Sequence, residues 1–163
     1  MDMEILHNIT YDQSLNQLLP FYLEPKAIEK KLLHLGSRDI HIEKESDNGS
    51  QYKLKVDREV AVSPPKAIAR FFQSWTKITQ EETWNLTTDE QLESRIEVKI
   101  PGLPISLNTK IVMTADENCC HQKVKTSVKC SLPLIGKIME KFIAEDLNRN
   151  IEAEASYIKA SLD

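Results

Sequence analysis

A strand that runs directly into a long, apolar-striped helix sets the terms for this chain. Cys120, Gln122, Val124, Thr126, Val128 and Cys130 alternate with His121, Lys123, Lys125, Ser127 and Lys129. A period of two with the lysines on one side only describes a half-buried strand. Ser131-Leu132-Pro133 punctuates it, the serine as a helix cap and the proline in the first helical turn. From there Ile135, Ile138, Met139, Phe142, Leu147, Ile151, Ala155, Ile158 and Leu162 form the stripe, and no glycine or proline follows Gly136. At ~1.5 Å per residue such a helix is on the order of 40 Å long. One stripe of that length needs a broad apolar surface, which a curved sheet supplies.

The upstream sequence provides the strands. Met3, Ile5, His7 and Ile9 alternate with Glu4, Leu6, Asn8 and Thr10, a first strand. Asp12 caps a short helix carrying Leu15, Leu18 and Leu19 that Pro20 ends. Pro25 starts a second through Ile28, Lys31, Leu32 and Leu35, and Gly36 stops it. A strand over Asp39 to Glu43 closes in the turn cluster Ser46 to Ser50. Tyr52, Leu54, Val56, Arg58, Val60 and Val62 share the next inner face. After a segment from Ser63 to Trp75, Ile78, Gln80, Glu82, Trp84 and Leu86 share another. Asp89-Glu90 breaks that pattern. Ile96, Val98 and Ile100 precede a turn at Pro101 to Pro104, and Ile105, Leu107, Thr109, Ile111 and Met113 return. Each strand has one apolar and one polar face, as in an antiparallel sheet wetted on one side. The expected fold is α+β, one domain over 1–163: six to seven antiparallel strands around a long C-terminal helix, with two short helices after the first strand.

At this point the chain resembles the START-like superfamily, also called SRPBCC or helix-grip. Its local pattern is similar to an uncharacterised bacterial branch described only as a domain of unknown function. Gln80-Glu81-Glu82-Thr83-Trp84, Pro101-Gly102-Leu103-Pro104 and Pro133-Leu134-Ile135-Gly136 carry the closer resemblance. The superfamily resemblance implies a cavity between sheet and helix for an apolar ligand. It does not imply catalysis, because one scaffold hosts binders, enzymes and chaperone cofactors.

Net charge −4 and a pI near 5.6 argue against a general nucleic-acid binder. No apolar run approaches the ~20 residues of a membrane span, and MDMEILHNIT has acids where a signal peptide has bases. Three cysteines, two of them adjacent, make no disulfide framework, and a cytoplasmic protein is the economical reading.

Cys119-Cys120-His121 invites a metal reading, but on a strand Cys120 faces away from the other two. No CxxC or HxxxH spacing completes a tetrahedral set. No nucleophile elbow, phosphate loop or HExxH is present. The sequence therefore points to no catalytic set, no metal and no cofactor. More telling are polar residues on apolar strand faces: Arg58, Gln80, Glu82, Thr109, Gln122 and Thr126. An ion in a dry core costs several kcal/mol unless paired or hydrated, roughly the penalty of other buried ions. Arg58 and Glu82 thus pair, or line a wet cavity and meet a ligand's polar head, or are turned to solvent by a bulge. Trp84, Met139 and Phe142 complete the expected lining. Ile68, Phe71, Phe72 and Trp75 fall at helical spacing in the segment Ser63 to Trp75, which is either a short helical lid over the cavity mouth or a satellite core under a loop.

Three readings follow. The first is a carrier or sensor for a lipid-like or other hydrophobic small molecule. The second is a cyclase- or hydratase-type enzyme with Glu82 as base and Arg58 polarising a carbonyl. The third is an interaction module like the chaperone activators, with a closed core. Lys110, Lys123, Lys125 and Lys129 on outer faces solvate the sheet, or touch anionic headgroups transiently.

Overall fold

The computed structural model describes residues 3–88 and 90–163. Strand β1 (Met3–Tyr11) leads into helices α1 (Leu15–Leu18), α2 (Pro20–Leu23) and α3 (Pro25–His34). Then come β2 (Arg38–Asp47), β3 (Gln51–Ala61), β4 (Trp75–Thr88), β5 (Gln91–Lys99), β6 (Ile105–Asp116), β7 (Cys119–Cys130) and α4 (Gly136–Leu162). The strands form one antiparallel sheet in the order β1-β7-β6-β5-β4-β3-β2. It is the open, curved helix-grip sheet with the long helix on its concave face. The first strand lies beside the last, Ile5 opposite Thr126 and Ile9 opposite Gln122.

Three local expectations are corrected. Pro20 does not end the first short helix but opens a second turn, because its ring fits a first helical position and Leu19 is already helical. Asp12 is not the cap: Ser14 accepts from the Gln17 amide, and the Gln17 side chain accepts from the Ser14 amide, a reciprocal box. Nor does Ser131 cap α4. Leu132–Ile135 form a tight turn, with Leu134 at φ 67°, before the helix starts at Gly136. Gly136 is required there, since a Cβ would stand 2.8 Å from the Cys130 carbonyl oxygen. Asp89 lies outside the described residues; Glu90 is in the β4–β5 turn.

Two apolar clusters cover the concave face. Tyr11, Leu18, Tyr22, Leu54, Trp84, Met113 and Ile158 belong to one. Ile5, Ile68, Leu107, Val128, Met139 and Ile143 belong to the other, at the end where α4 begins. The stripe of α4 is rotated slightly from the expected one. Met139, Ile143, Ala144, Ala155 and Ile158 are buried, Phe142 is half-buried and Ile138 is exposed. Glu140 is buried as well, its carboxylate accepting from the Cys130 amide at 2.9 Å, which ties the helix head to the end of β7.

Candidate functional site

Helix α4 rests on β7 and β1, while α3 rests on β2. The middle of the sheet lies between these supports, and a cavity of about 310 Å³ remains there. Its floor is β3 to β7, through Val56, Arg58, Gln80, Glu82, Trp84, Thr109 and Thr126; α3 and α4 supply Lys31, Leu32, Asp146, Asn150, Ile151 and Glu154.

The floor carries one continuous polar chain. Arg58 stands opposite Ile78 on β4, one step along the same face from Gln80. Its Nε donates to the Gln80 side-chain oxygen at 2.8 Å, and its Nη1 donates to Ser37 Oγ at 3.0 Å. The Gln80 Nε2 donates to one Glu82 oxygen at 2.8 Å, and the Trp84 indole donates to the other at 2.9 Å. Gln80, Glu82 and Trp84 alternate along one strand, which is why period-two reading put them on one face. Arg58 and Glu82 are joined through Gln80, not as a direct ion pair. Burial pushes the Glu82 carboxyl up, against the Trp84 indole, Lys31 and Gln80, which favour the anion. Burial pulls the Arg58 guanidinium down, against the fields of Glu82, Glu154 and Asp146. Nearby, the Thr109 and Thr126 hydroxyls bond each other at 2.9 Å.

Lys31 is the residue that sequence reading passed over. It is buried, donates to the Phe21 carbonyl at 2.9 Å, pairs with Glu154 at 2.7 Å and sits 4.5 Å over the Tyr22 ring. The signal was available: Lys31 falls three residues after Ile28 and beside Leu32, on the apolar face of α3, and Glu154 lies between Ile151 and Ile158 on the stripe of α4. A lysine there bridges the two helices across the cavity.

Of the other candidates, Gln122 is buried outside the cavity wall and donates to the Tyr22 hydroxyl at 2.9 Å. Burial holds that phenol well above its ordinary range. Phe71, Phe72, Met139 and Phe142 pack in the cluster at the head of α4, where the Phe72 and Phe142 rings meet edge-on at 5.6 Å. Trp75 is elsewhere again, at the start of β4 with the Arg38 guanidinium 3.9 Å from its ring. The helical lid is corrected: residues 62–74 are an irregular loop with one 3₁₀ turn at Ala69–Phe71, because Ile68 is drawn fully into the core and Trp75 is already extended.

Cys119 and His121 do share a side of β7, and Asp116 from the turn joins them, the three donor atoms lying within 4.8 Å of one another. The group is exposed and internally hydrogen-bonded, with Cys119 Sγ donating to the Asp116 carbonyl at 3.1 Å. Three donors fall short of the four ligands of a structural zinc site. Burial and the Cys119 thiol beside it push the Cys120 thiol up to about 11. Among the described residues no helix is long and apolar enough to cross a membrane.

Solved structures share this architecture. The protein TTHA0849 from Thermus thermophilus superposes with TM-score 0.62 at 12% identity, over 99% of this chain and 100% of that one. A norcoclaurine synthase point mutant from Thalictrum flavum, in complex with a transition-state analogue, matches with TM-score 0.58 at 17% identity, over 100% and 98%. Mll3558 from Rhizobium loti matches with TM-score 0.56 at 10% identity, over 96% of each chain. At these identities the likeness is one of fold. No curated protein matches the sequence. The family profile described as "Protein of unknown function (DUF2505)" matches residues 7–162, and the chain belongs to that family.

Proposed function

We propose that this chain is a binding protein for a compact, hydrophobic small molecule with one hydrogen-bond acceptor, held between the sheet and helices α3 and α4. One observation carries the reading: a cavity of about 310 Å³ whose lining mixes apolar side chains with a few charged ones, with Arg58 in its floor. Nε and Nη1 of Arg58 are occupied, leaving Nη2 without a partner among the described residues. A guanidinium held this way offers a fixed donor to a carboxylate, phenolate or carbonyl, while the walls take the apolar body. The volume is at the lower end of known small-molecule sites, roughly 300–1,000 Å³, so a molecule of one or two rings fits better than a long-chain lipid. The three free cysteines support a reducing, intracellular setting.

The enzyme reading has less behind it: both Glu82 oxygens accept hydrogen bonds, from Gln80 and Trp84, and these donors favour the anion and so oppose its taking a proton as a base. The closed-core interaction module is weaker because the centre of the sheet is not filled.

Native mass spectrometry of protein purified without refolding from its own host tests the proposal. A retained molecule of a few hundred daltons is expected, and Arg58→Met should weaken rebinding at least tenfold with little change in melting temperature. Repeated absence of any retained or rebindable apolar molecule would sink the idea.

A further inference from the structure

At the end of the molecule where α4 begins, the loops carry cations and few acids, with Glu4 on β1 an exposed acid nearby, opposite Ser127 and 3.6 Å from Lys125. The chain as a whole has a net charge of −4. Three loops meet at this end: residues 62–74 between β3 and β4, 100–104 between β5 and β6, and 131–135 between β7 and α4. The last two touch, the Ser131 amide donating to the Pro104 carbonyl at 3.2 Å, and the first packs Phe72 on Phe142 of α4. Lys66, Arg70, Lys99, Lys129, Lys137 and Lys141 on these loops and their flanks are all exposed. From Val62 to Gln80 and from Val98 to Ala115 the sequence holds no acid. From Cys119 to Ala144 it holds only Glu140, which is buried on the Cys130 amide. Lys99 alone of these cations has a carboxylate beside it, Glu97 at 3.8 Å, among the described ion pairs.

Two further features of this end do not serve the fold. Leu134 is 100% exposed and has φ 67°, a backbone region that glycine or asparagine takes more readily than leucine. Ile138, one turn on, is exposed too. Lys137 and Lys141 stand in the opening turns of α4, which has no side-chain cap. Carboxylates, not lysines, stabilise the positive end of a helix. An apolar tip ringed by cations on an otherwise acidic protein has the chemistry of a bilayer interface: a side chain for the acyl boundary and charges for the phosphates.

We propose that this end docks on an anionic lipid bilayer, with Leu134 and Ile138 entering the interface and the surrounding lysines and Arg70 resting on lipid phosphates. A phosphate backbone of nucleic acid would use the cations but not the leucine. Docking here sets the bilayer beside Val60 and Ala61, which line the cavity rim and lead into the 62–74 loop. The docking itself needs no occupied cavity, so it stands or falls apart from the ligand reading.

Co-sedimentation with phosphatidylcholine vesicles, with and without phosphatidylglycerol, tests it. Binding is expected only when phosphatidylglycerol is present, and raised NaCl should release the protein. Lys137→Glu with Lys141→Glu should weaken binding at least tenfold. Lys53→Glu, at the opposite end of the sheet, should leave it within twofold. Leu134→Asn suits the left-handed backbone and keeps the charge, so the protein stays folded; it should weaken vesicle binding several-fold and leave the salt dependence unchanged. Melting curves confirm folding for each variant. No binding to phosphatidylglycerol vesicles at low salt would overturn the proposal. So would tighter binding to a DNA duplex that Leu134→Asn does not alter.

Discussion

The two halves of the concave face are built from the same alternating strands, yet one is packed shut and the other left open. At the head of α4, Met139 and Ile143 lie directly on Leu107, Val128 and Ile5, and Ile68 plugs the remaining gap. Around Arg58 and Gln80, α4 presents Asp146, Asn150 and Ile151 across an empty space. The difference comes from where the helices rest. α4 lies along β7 and β1, one edge of the sheet, and α3 lies on β2, the other edge. A curved sheet spanned at its edges keeps a hollow over its centre. Side chains close that hollow only where a connecting loop, here 62–74, folds inward.

Truncation should therefore cost very different amounts in the two halves. Met139→Ala removes a fully buried side chain from the packed half, and losses of this kind are about 2–5 kcal/mol. Ile151→Ala removes a half-buried side chain that already faces the cavity, so little new void is made and a loss of about 1 kcal/mol or less is expected. Urea denaturation of both variants makes the comparison. Equal losses would mean that the cavity half is filled in solution.

The next effect in size concerns the bridge over the cavity. Lys31→Ala leaves Glu154 facing the cavity without its cation and deprives the Phe21 carbonyl of a donor. Breaking a fully buried pair costs about 3–5 kcal/mol, and the partial exposure of Glu154 lowers the expectation to about 2. Lys31→Met with Glu154→Gln should recover part of that loss. A single Lys31→Ala variant as stable as the parent would show that α3 and α4 are held by packing alone.

Much of this was legible in the sequence, for identifiable reasons. Strand faces follow from period-two alternation, which β-structure fixes rigidly, so Arg58, Gln80, Glu82, Thr109, Gln122 and Thr126 fall on inner faces together; all but Gln122 line the cavity, and Gln122 turns to the Tyr22 hydroxyl instead. The order of elements followed from turn residues such as Gly36 and Pro101 to Pro104. What periodicity does not carry is tertiary reach. Ile68, Phe71, Phe72 and Trp75 match a helical spacing, but the first three reach the cluster at the head of α4 from an irregular loop, and Trp75 is already extended in β4. Lys31 and Glu154 are charged residues on apolar stripes of two separate helices. Each alone passes for a tolerated surface charge, and only the packing of α3 against α4 brings them to 2.7 Å. Gly136 and Glu140 escape a periodic reading for the same reason, since their partner is the backbone of Cys130.

A smaller effect probes the open half from within. The Arg58 guanidinium and the Glu82 carboxylate act on each other through Gln80, which holds one with its oxygen and the other with its amide nitrogen. A double-mutant cycle of Arg58→Met and Glu82→Gln should give a coupling of about 0.5–1 kcal/mol. Repeating the cycle on a Gln80→Ala background should shrink it. Additive effects on the natural background would mean that the chain of hydrogen bonds is broken in solution.

The smallest effect is the pH dependence of Glu82, and its sign is fixed by the direction in which burial moves it. Burial raises this carboxyl above its ordinary value of 4.5, so the folded state holds the proton more tightly than the unfolded state does. Its contribution is then fully present below the ordinary value and is lost as pH rises through the raised, folded one. Glu82→Gln removes the titration while keeping an acceptor for the Trp84 indole, though its own amide group must replace an oxygen that accepts from Gln80. Relative to this variant, the natural protein should lose stability steadily as pH is raised from about 4, the ordinary range of a free glutamate, towards neutrality. The packed half has no part in this, because its one buried acid, Glu140, is present in both proteins and cancels in the difference. Urea midpoints taken across that range for both proteins would show the trend. A difference that is flat, or that grows in favour of the natural protein with rising pH, would mean that the Arg58, Lys31 and hydrogen-bond contributions outweigh burial and that the cavity floor is wet.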